Sequence, residues 1–168
     1  MTMGPSWVYF LAFLWYLLNL TSHRLIDAAI SVPGDYSTLA LAVAAVNGGV
    51  DEIIELEPSE LYSITSEIDV TSNVRIRSSG SLVTVTGSSN RLFTLASGSS
   101  LSITGLNVSG FASTSSGAVI YLDNANLTVA DSVFSGNGIY TTQGGVVYAV
   151  SPSWLSFIGS NFTGNTAA

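Results

Sequence analysis

The sequence has no cysteine and no lysine, only four arginines, four prolines and a single histidine, and just 9% of its 168 residues are charged. Each shortage closes off a class of chemistry. Without cysteine there are no disulfides, zinc thiolates or thiol nucleophiles. With only Arg24, Arg75, Arg77 and Arg91 against eleven acids, the net charge is −7. A nucleic-acid backbone needs clustered cations to displace its counterions, so nucleic acid is excluded as a partner. An anionic lipid surface is an equally poor one. A chain this poor in charge cannot be solvated mainly by ions. It is instead 47% hydrophobic and rich in Ser, Thr and Gly, and such a chain meets its polar needs through hydroxyls, amides and backbone pairing. That favours β structure with frequent turns.

The one long apolar run is Trp7 to Leu20, in which only Asn19 is polar. A bilayer-spanning helix needs about 20 apolar residues, so the run is short for a span and fits the core of a secretory signal peptide. Residues 1–22 therefore read as a signal peptide or a signal anchor, which places the chain outside the cell or at its surface. A membrane is a partner only if residues 7–20 stay uncleaved. Residues 23–34 read as a linker. Asn-x-Ser/Thr sequons at Asn19, Asn107, Asn126 and Asn161 permit glycosylation without arguing for it.

Pro33-Gly34-Asp35 signals a turn, and Asp35 or Ser37 can cap a helix. Leu39, Val43 and Val46, widened by Ala42, then form one apolar face, and Asn47-Gly48-Gly49 stops the element. The spacing predicts a helix over 37–47 within a capping unit of 35–49. From residue 50 to 168 the chain reads as short strands in which apolar and polar residues alternate. The clearest are 52–56, 74–77, 82–86 and 101–103. A doubly wound α/β fold would need further crossover helices.

Three segments align without gaps: SLSITGLNVSGF at 100–111, NLTVADSVFSGN at 126–137 and WLSFIGSNFTGN at 154–165. Leu101, Leu127 and Leu155 correspond, at spacings of 26 and 28. Ile103, Val129 and Phe157 correspond, as do Val108, Phe134 and Phe162. Between them recur the runs starting at Leu92, Val119 and Val146, and Val74–Ile76 precedes Leu101–Ile103 by 27. Strands at a period in the twenties specify a solenoid, whose repeats cannot bury an apolar side alone and stack to do so. Leucine-rich repeats share the period but need a leucine consensus these segments lack. The reading predicts an all-β parallel solenoid, with Phe134 over Phe162 as an internal stack and Asn137 over Asn165 as a turn ladder.

FSGN at 134–137 and FTGN at 162–165 resemble the FxxN tetrapeptide of chlamydial polymorphic-membrane-protein repeats. Gly117-Ala118-Val119-Ile120 and Gly144-Gly145-Val146-Val147 resemble the partner GGA[ILV] tetrapeptide, with Ser116 replacing the first Gly and Val146 replacing Ala. The wider resemblance, over residues 35–168, is to pectate-lyase-like right-handed parallel β-helices, many of which open with an amphipathic capping helix. The resemblance to polymorphic membrane proteins implies a surface-displayed protein with an adhesin-like role.

Catalytic candidates are few. Pectate-lyase-like enzymes use Asp clusters with Arg or Lys, but between 71 and 168 the acids are only Asp123 and Asp131, which read as turn residues. His23 reads as an incidental linker residue. Glu52, Glu55, Glu57 and Glu60 read as a solvated edge. Arg75 and Arg77 share a strand face and could grip a carboxylated sugar, or stand as solvated charges beside Glu67 or Asp69. No catalytic, metal or cofactor residue is assigned. The favoured function is display and binding without catalysis, with glycans or cell-surface proteins as partners. Two alternatives are the N-terminal fragment of a carbohydrate-active enzyme and a non-catalytic glycan-binding module. Nothing in the sequence after Asn165 resembles a cap, so self-association through an open C-terminal end is also expected.

Overall fold

A computed structural model describes residues 29–50, 52–139 and 143–167. The expected signal segment and His23 lie outside these residues. The chain winds into a parallel β-solenoid of about five coils, with one short helix. A six-stranded sheet runs β1 (Ile30–Val32), β2 (Ile53–Leu56), β5 (Asn73–Ser78), β8 (Ser100–Thr104), β12 (Asn126–Ala130) and β16 (Trp154–Ile158). A second sheet contains β3 (Leu61–Ser63), β6 (Val83–Thr86), β9 (Leu106–Ser109), β13 (Val133–Ser135) and β17 (Asn161–Thr163). The third contains β4 (Ile68–Val70), β7 (Phe93–Leu95), β11 (Ile120–Asp123) and β15 (Val147–Val150). A short pair joins β10 (Ala112–Ser113) to β14 (Gly138–Ile139). Every one of these pairings is parallel. Among the described residues no helix is long and apolar enough to cross a membrane.

The register is the one the repeat dictates. Leu101 pairs with Leu127 and Leu127 with Leu155, while Ile103, Val129 and Phe157 stack two positions on. Val108, Phe134 and Phe162 stack in the second sheet, and Phe93, Ile120 and Val147 in the third. Period-two alternation sends these side chains inward, and Leu101, Ile103, Val108, Leu127, Val129 and Phe134 are buried. Each such burial contributes roughly 1.5–3 kcal/mol. The Phe134 and Phe162 rings lie 5.0 Å apart and 9° from parallel. Burial then fades toward the last described coil: Leu155 is partly buried, Phe157 is 45% exposed and Phe162 39%.

Helix α1 (Leu39–Asn47) lies between β1 and β2 and buries Leu39, Ala42, Val43 and Val46 against the first coils, the face the spacing indicated. Its cap differs from expectation. Thr38 is the N-cap and accepts a 3.2 Å bond from the Leu41 N–H. Asp35 is engaged one turn earlier, where its Oδ2 accepts from the Ser31 N–H at 2.8 Å and the Ser31 hydroxyl at 2.9 Å. At the other end Gly48 donates to Ala44 and Ala45, and Gly49 turns the chain out at φ +93°. The stretch read as linker also contains structure. Ile30 and Val32 of β1 are buried and pair with Ile54 and Leu56, because three alternating residues suffice once a neighbouring strand is present.

Turns repeat as the strands do. Gly105, Asp131 and Gly159 occupy one repeat position, all with positive φ. Asp131 is thus a turn residue, using the left-handed tolerance of a short polar side chain. At the twelfth repeat position, Asn137 Oδ1 accepts from the buried Phe111 N–H at 3.1 Å, and Asn165 Oδ1 accepts from the Asn137 N–H at 3.0 Å. At the seventh, Ser132 Oγ accepts from the Leu106 N–H and Ser160 Oγ from the Ser132 N–H. A side chain of each coil therefore satisfies a turn N–H of the coil before it.

A candidate binding groove on the six-stranded sheet

Residues at even offsets in the long strands bury the core, so those between them face solvent in straight rows. One row on the six-stranded sheet runs Asn73, Ser100, Asn126 and Trp154; the next runs Arg75, Ser102, Thr128 and Ser156. The first three members of each row, with Glu52 at the N-terminal end, line a polar groove of about 460 Å³. Ser100 Oγ donates to Asn73 Oδ1 at 2.8 Å, which ties two rungs together. Trp154, 59% exposed, closes its row with a flat apolar ring.

Charge in the groove is sparse and available. Arg75 is exposed and makes no ion pair among the described residues. Its neighbour Arg77 differs: its Nη2 and Nε both lie 2.8 Å from Glu55 Oε1 on the adjacent strand. The two arginines share a strand face as expected, but only Arg75 is free to bind. Neither stands beside Glu67. That carboxylate pairs with Arg91 at 3.1 Å on the third sheet, because parallel stacking brings residues 24 apart side by side. Arg91 is buried and also donates to the Gly117 and Ser116 carbonyls and to Thr94 Oγ1, with its guanidinium 5.1 Å from the Tyr121 ring centre. It ties three coils together, which its isolated place in the sequence did not reveal.

The remaining candidates separate. Asp123 ends β11 in the third sheet, whereas Asp131 follows β12, and both are exposed. The acidic run divides as well: Glu55 meets Arg77, Glu52 meets the groove, and Glu57 lends its N–H to the Tyr62 hydroxyl at 2.9 Å. Burial raises the Tyr62 pKa above its ordinary value; the Glu57 backbone bond opposes this, and the Glu60 and Glu57 carboxylates add to it. Among the described residues no group of three or more His, Asp or Glu could hold a metal ion. The sequons Asn107, Asn126 and Asn161 lie on strands, with Val108, Leu127 and Phe162 as the inward middle residues. Alternation alone writes Asn-x-Ser/Thr onto such a strand.

The groove rows could not be singled out before the register was known, although the in-register polar positions of the repeat carried the signal. Comparisons of the chain with protein-family models, with curated proteins and with solved structures return no match.

Proposed function

We propose that this chain is a secreted or surface-displayed right-handed parallel β-helix that binds carbohydrate along its six-stranded sheet and performs no catalysis itself. The right-handed sense follows from the twist preference of parallel crossover connections. The FSGN and FTGN tetrapeptides, with Gly144-Gly145-Val146-Val147 between them, support a relation to polymorphic-membrane-protein repeats, and hence an adhesin-like role. One observation carries the binding reading: a solvent-open groove of hydroxyls and amides in fixed rows, with an unpaired guanidinium at Arg75 and an exposed indole at Trp154.

Saccharides present hydroxyls at intervals and apolar ring faces between them. The rows offer donors and acceptors to the first, and Trp154 offers a flat surface to the second. Arg75 favours a sugar bearing a carboxylate, which a guanidinium can hold through two parallel bonds. A glycan array followed by titration calorimetry tests this. Carboxylated oligosaccharides should bind, and Arg75→Ala should weaken them by roughly 10-fold, the worth of one charge-assisted hydrogen bond. Absence of glycan binding, or binding indifferent to Arg75→Ala, would refute the site. Release of new reducing ends or unsaturated products by the protein would refute the absence of catalysis.

A further inference from the structure

The groove has an order along the solenoid axis. Glu52 stands immediately before β2; Asn73 and Arg75 lie on β5, Ser100 and Ser102 on β8, and Asn126 and Thr128 on β12. From the helix-capped end onward, its charges are therefore one anion, one cation and then none. Glu52 and Arg75 are neighbours through the backbone, where the Arg75 N–H donates to the Glu52 carbonyl at 2.7 Å. Both side chains are exposed, and neither forms an ion pair among the described residues.

Spacing sets how a chain of sugars lies here. Successive members of each outward row are about 4.8 Å apart. An extended glycan, such as a β-1,4-linked one, advances by close to that step per residue, so a chain laid along the axis places one sugar over each strand. Along a strand the match is lost, because outward residues there are about 6.6 Å apart. Charge then fixes which sugar goes where. A carboxylate belongs over β5, at Arg75. Over β8 and β12 it would exchange water for neutral hydroxyls and amides, with no cation to compensate. On the other side of Arg75 it would meet the like charge of Glu52. The net charge of −7 also repels a polyanion at long range.

We propose that the groove takes the end of a linear neutral oligosaccharide capped by a single uronate residue. The uronate sits over β5, with its carboxylate on Arg75, and the next two sugars sit over β8 and β12, one per coil. Glu52 is the specificity-determining residue that stops the chain. The proposal rests on the reading of this groove as a carbohydrate site, to which it adds direction, length and charge pattern. A polyuronate satisfies Arg75 only with its terminal residue, since any internal residue placed there sets another carboxylate against Glu52.

The test is titration calorimetry of the full chain with β-1,4-linked oligomers. The probes are an all-glucose trisaccharide, glucose di- and trisaccharides with one terminal glucuronate, and a glucuronate hexamer. The cap is made at each terminus in turn and the tighter isomer followed. The capped trisaccharide should bind about 10-fold more tightly than the all-glucose one, and Arg75→Ala should erase the difference. Thr128→Ala should weaken the capped trisaccharide about threefold and leave the capped disaccharide unchanged, whereas Ser102→Ala should weaken both. The hexamer should bind no more tightly than the capped trisaccharide, and Glu52→Gln should tighten the hexamer about threefold more than the trisaccharide. Comparing two ligands on one variant separates these effects from any loss of folded protein. The proposal is overturned, with the carbohydrate site left standing, by any of three results. The hexamer binds the unaltered protein more tightly than the capped trisaccharide does, Thr128→Ala weakens the disaccharide as much as the trisaccharide, or Glu52→Gln changes both acidic ligands alike. Failure of every oligosaccharide to bind overturns the carbohydrate reading itself, and this proposal with it.

Discussion

Replacing Asn137 by alanine removes one small polar side chain, yet the turn ladder concentrates several bonds on it. The residue is 1% exposed. Its Oδ1 is the acceptor for the buried Phe111 N–H, and its Nδ2 donates to the Val108 carbonyl at 3.1 Å and to Asn165 Oδ1 at 3.0 Å. In Asn137→Ala the Phe111 N–H stays buried without an acceptor, which costs about 1–3 kcal/mol, and the two lost donor bonds add about 0.5–1.5 kcal/mol each. The expected loss is roughly 2–6 kcal/mol, a large share of what a domain of this size has to lose. Asn165→Ala provides the control. Its Nδ2 donates to the Phe134 carbonyl at 2.8 Å and its Oδ1 accepts from the Asn137 N–H and Nδ2 at 3.0 Å, but these groups are only partly buried and water can replace the lost partner, so a smaller loss of about 1–2 kcal/mol is expected. Urea unfolding followed by far-ultraviolet circular dichroism measures both. If Asn137→Ala is no more destabilising than Asn165→Ala, the ladder is not a source of stability, and the repeat depends on its apolar stack alone.

The stack itself predicts a gradient. Phe134→Ala should cost about 3–5 kcal/mol, because its ring is fully buried between coils, whereas Phe162→Ala should cost clearly less, its ring being 39% exposed; equal losses in thermal or urea melts would contradict the fading of the core. Stability should also fall at both extremes of pH. The raised Tyr62 pKa means the folded state holds its proton longer than the unfolded chain, so stability declines as pH rises above about 10. The Asp35 pKa is lowered by the Ser31 N–H and hydroxyl, so its contribution is present above the ordinary value of 3.8 and is lost as pH falls through the folded value. Melts across pH should show the alkaline decline flattened by Tyr62→Phe and the acidic decline flattened by Asp35→Asn; unaltered profiles would refute these assignments.

The fold was legible because a solenoid is a one-dimensional object. Once Leu101, Leu127 and Leu155 are seen to recur, stacking fixes which residues touch, and the register of Val108, Phe134 and Phe162 follows without three-dimensional knowledge. What depends on contacts across coils outside the repeat was not legible. Arg91 gives no sign in its local sequence that Glu67 lies 3.1 Å away, and Glu55 gives none that it will neutralise Arg77 rather than stand in solvent. The helix face was evident from spacing, but its cap was not: Asp35 and Ser37 were the expected caps, whereas the Asp35 carboxylate is held by Ser31 and Thr38 caps the helix. The groove was hidden for a related reason. Asn73, Ser100 and Asn126 are unremarkable apart, and become a surface only when their strands are neighbours.

One alternation thus produces both the stability and the candidate site. In each strand the inward residues must be apolar to join the axial stack, which leaves only the outward residues free to vary. Charges of one sign, repeated on successive coils about 4.8 Å apart, would repel. Rows of Ser, Thr and Asn avoid that repulsion and can hydrogen-bond along the row, as Ser100 does with Asn73. The absence of lysine and the scarcity of other charges are therefore consequences of stacking. Within such a neutral surface a single uncompensated cation is conspicuous: Arg77 is cancelled by Glu55 and Arg91 is buried with Glu67, while Arg75 has no partner among the described residues and lies in the groove. A ligand that approaches this sheet meets one charge and many hydroxyls, a combination that selects a sparsely charged, hydroxyl-rich chain over a polyanion.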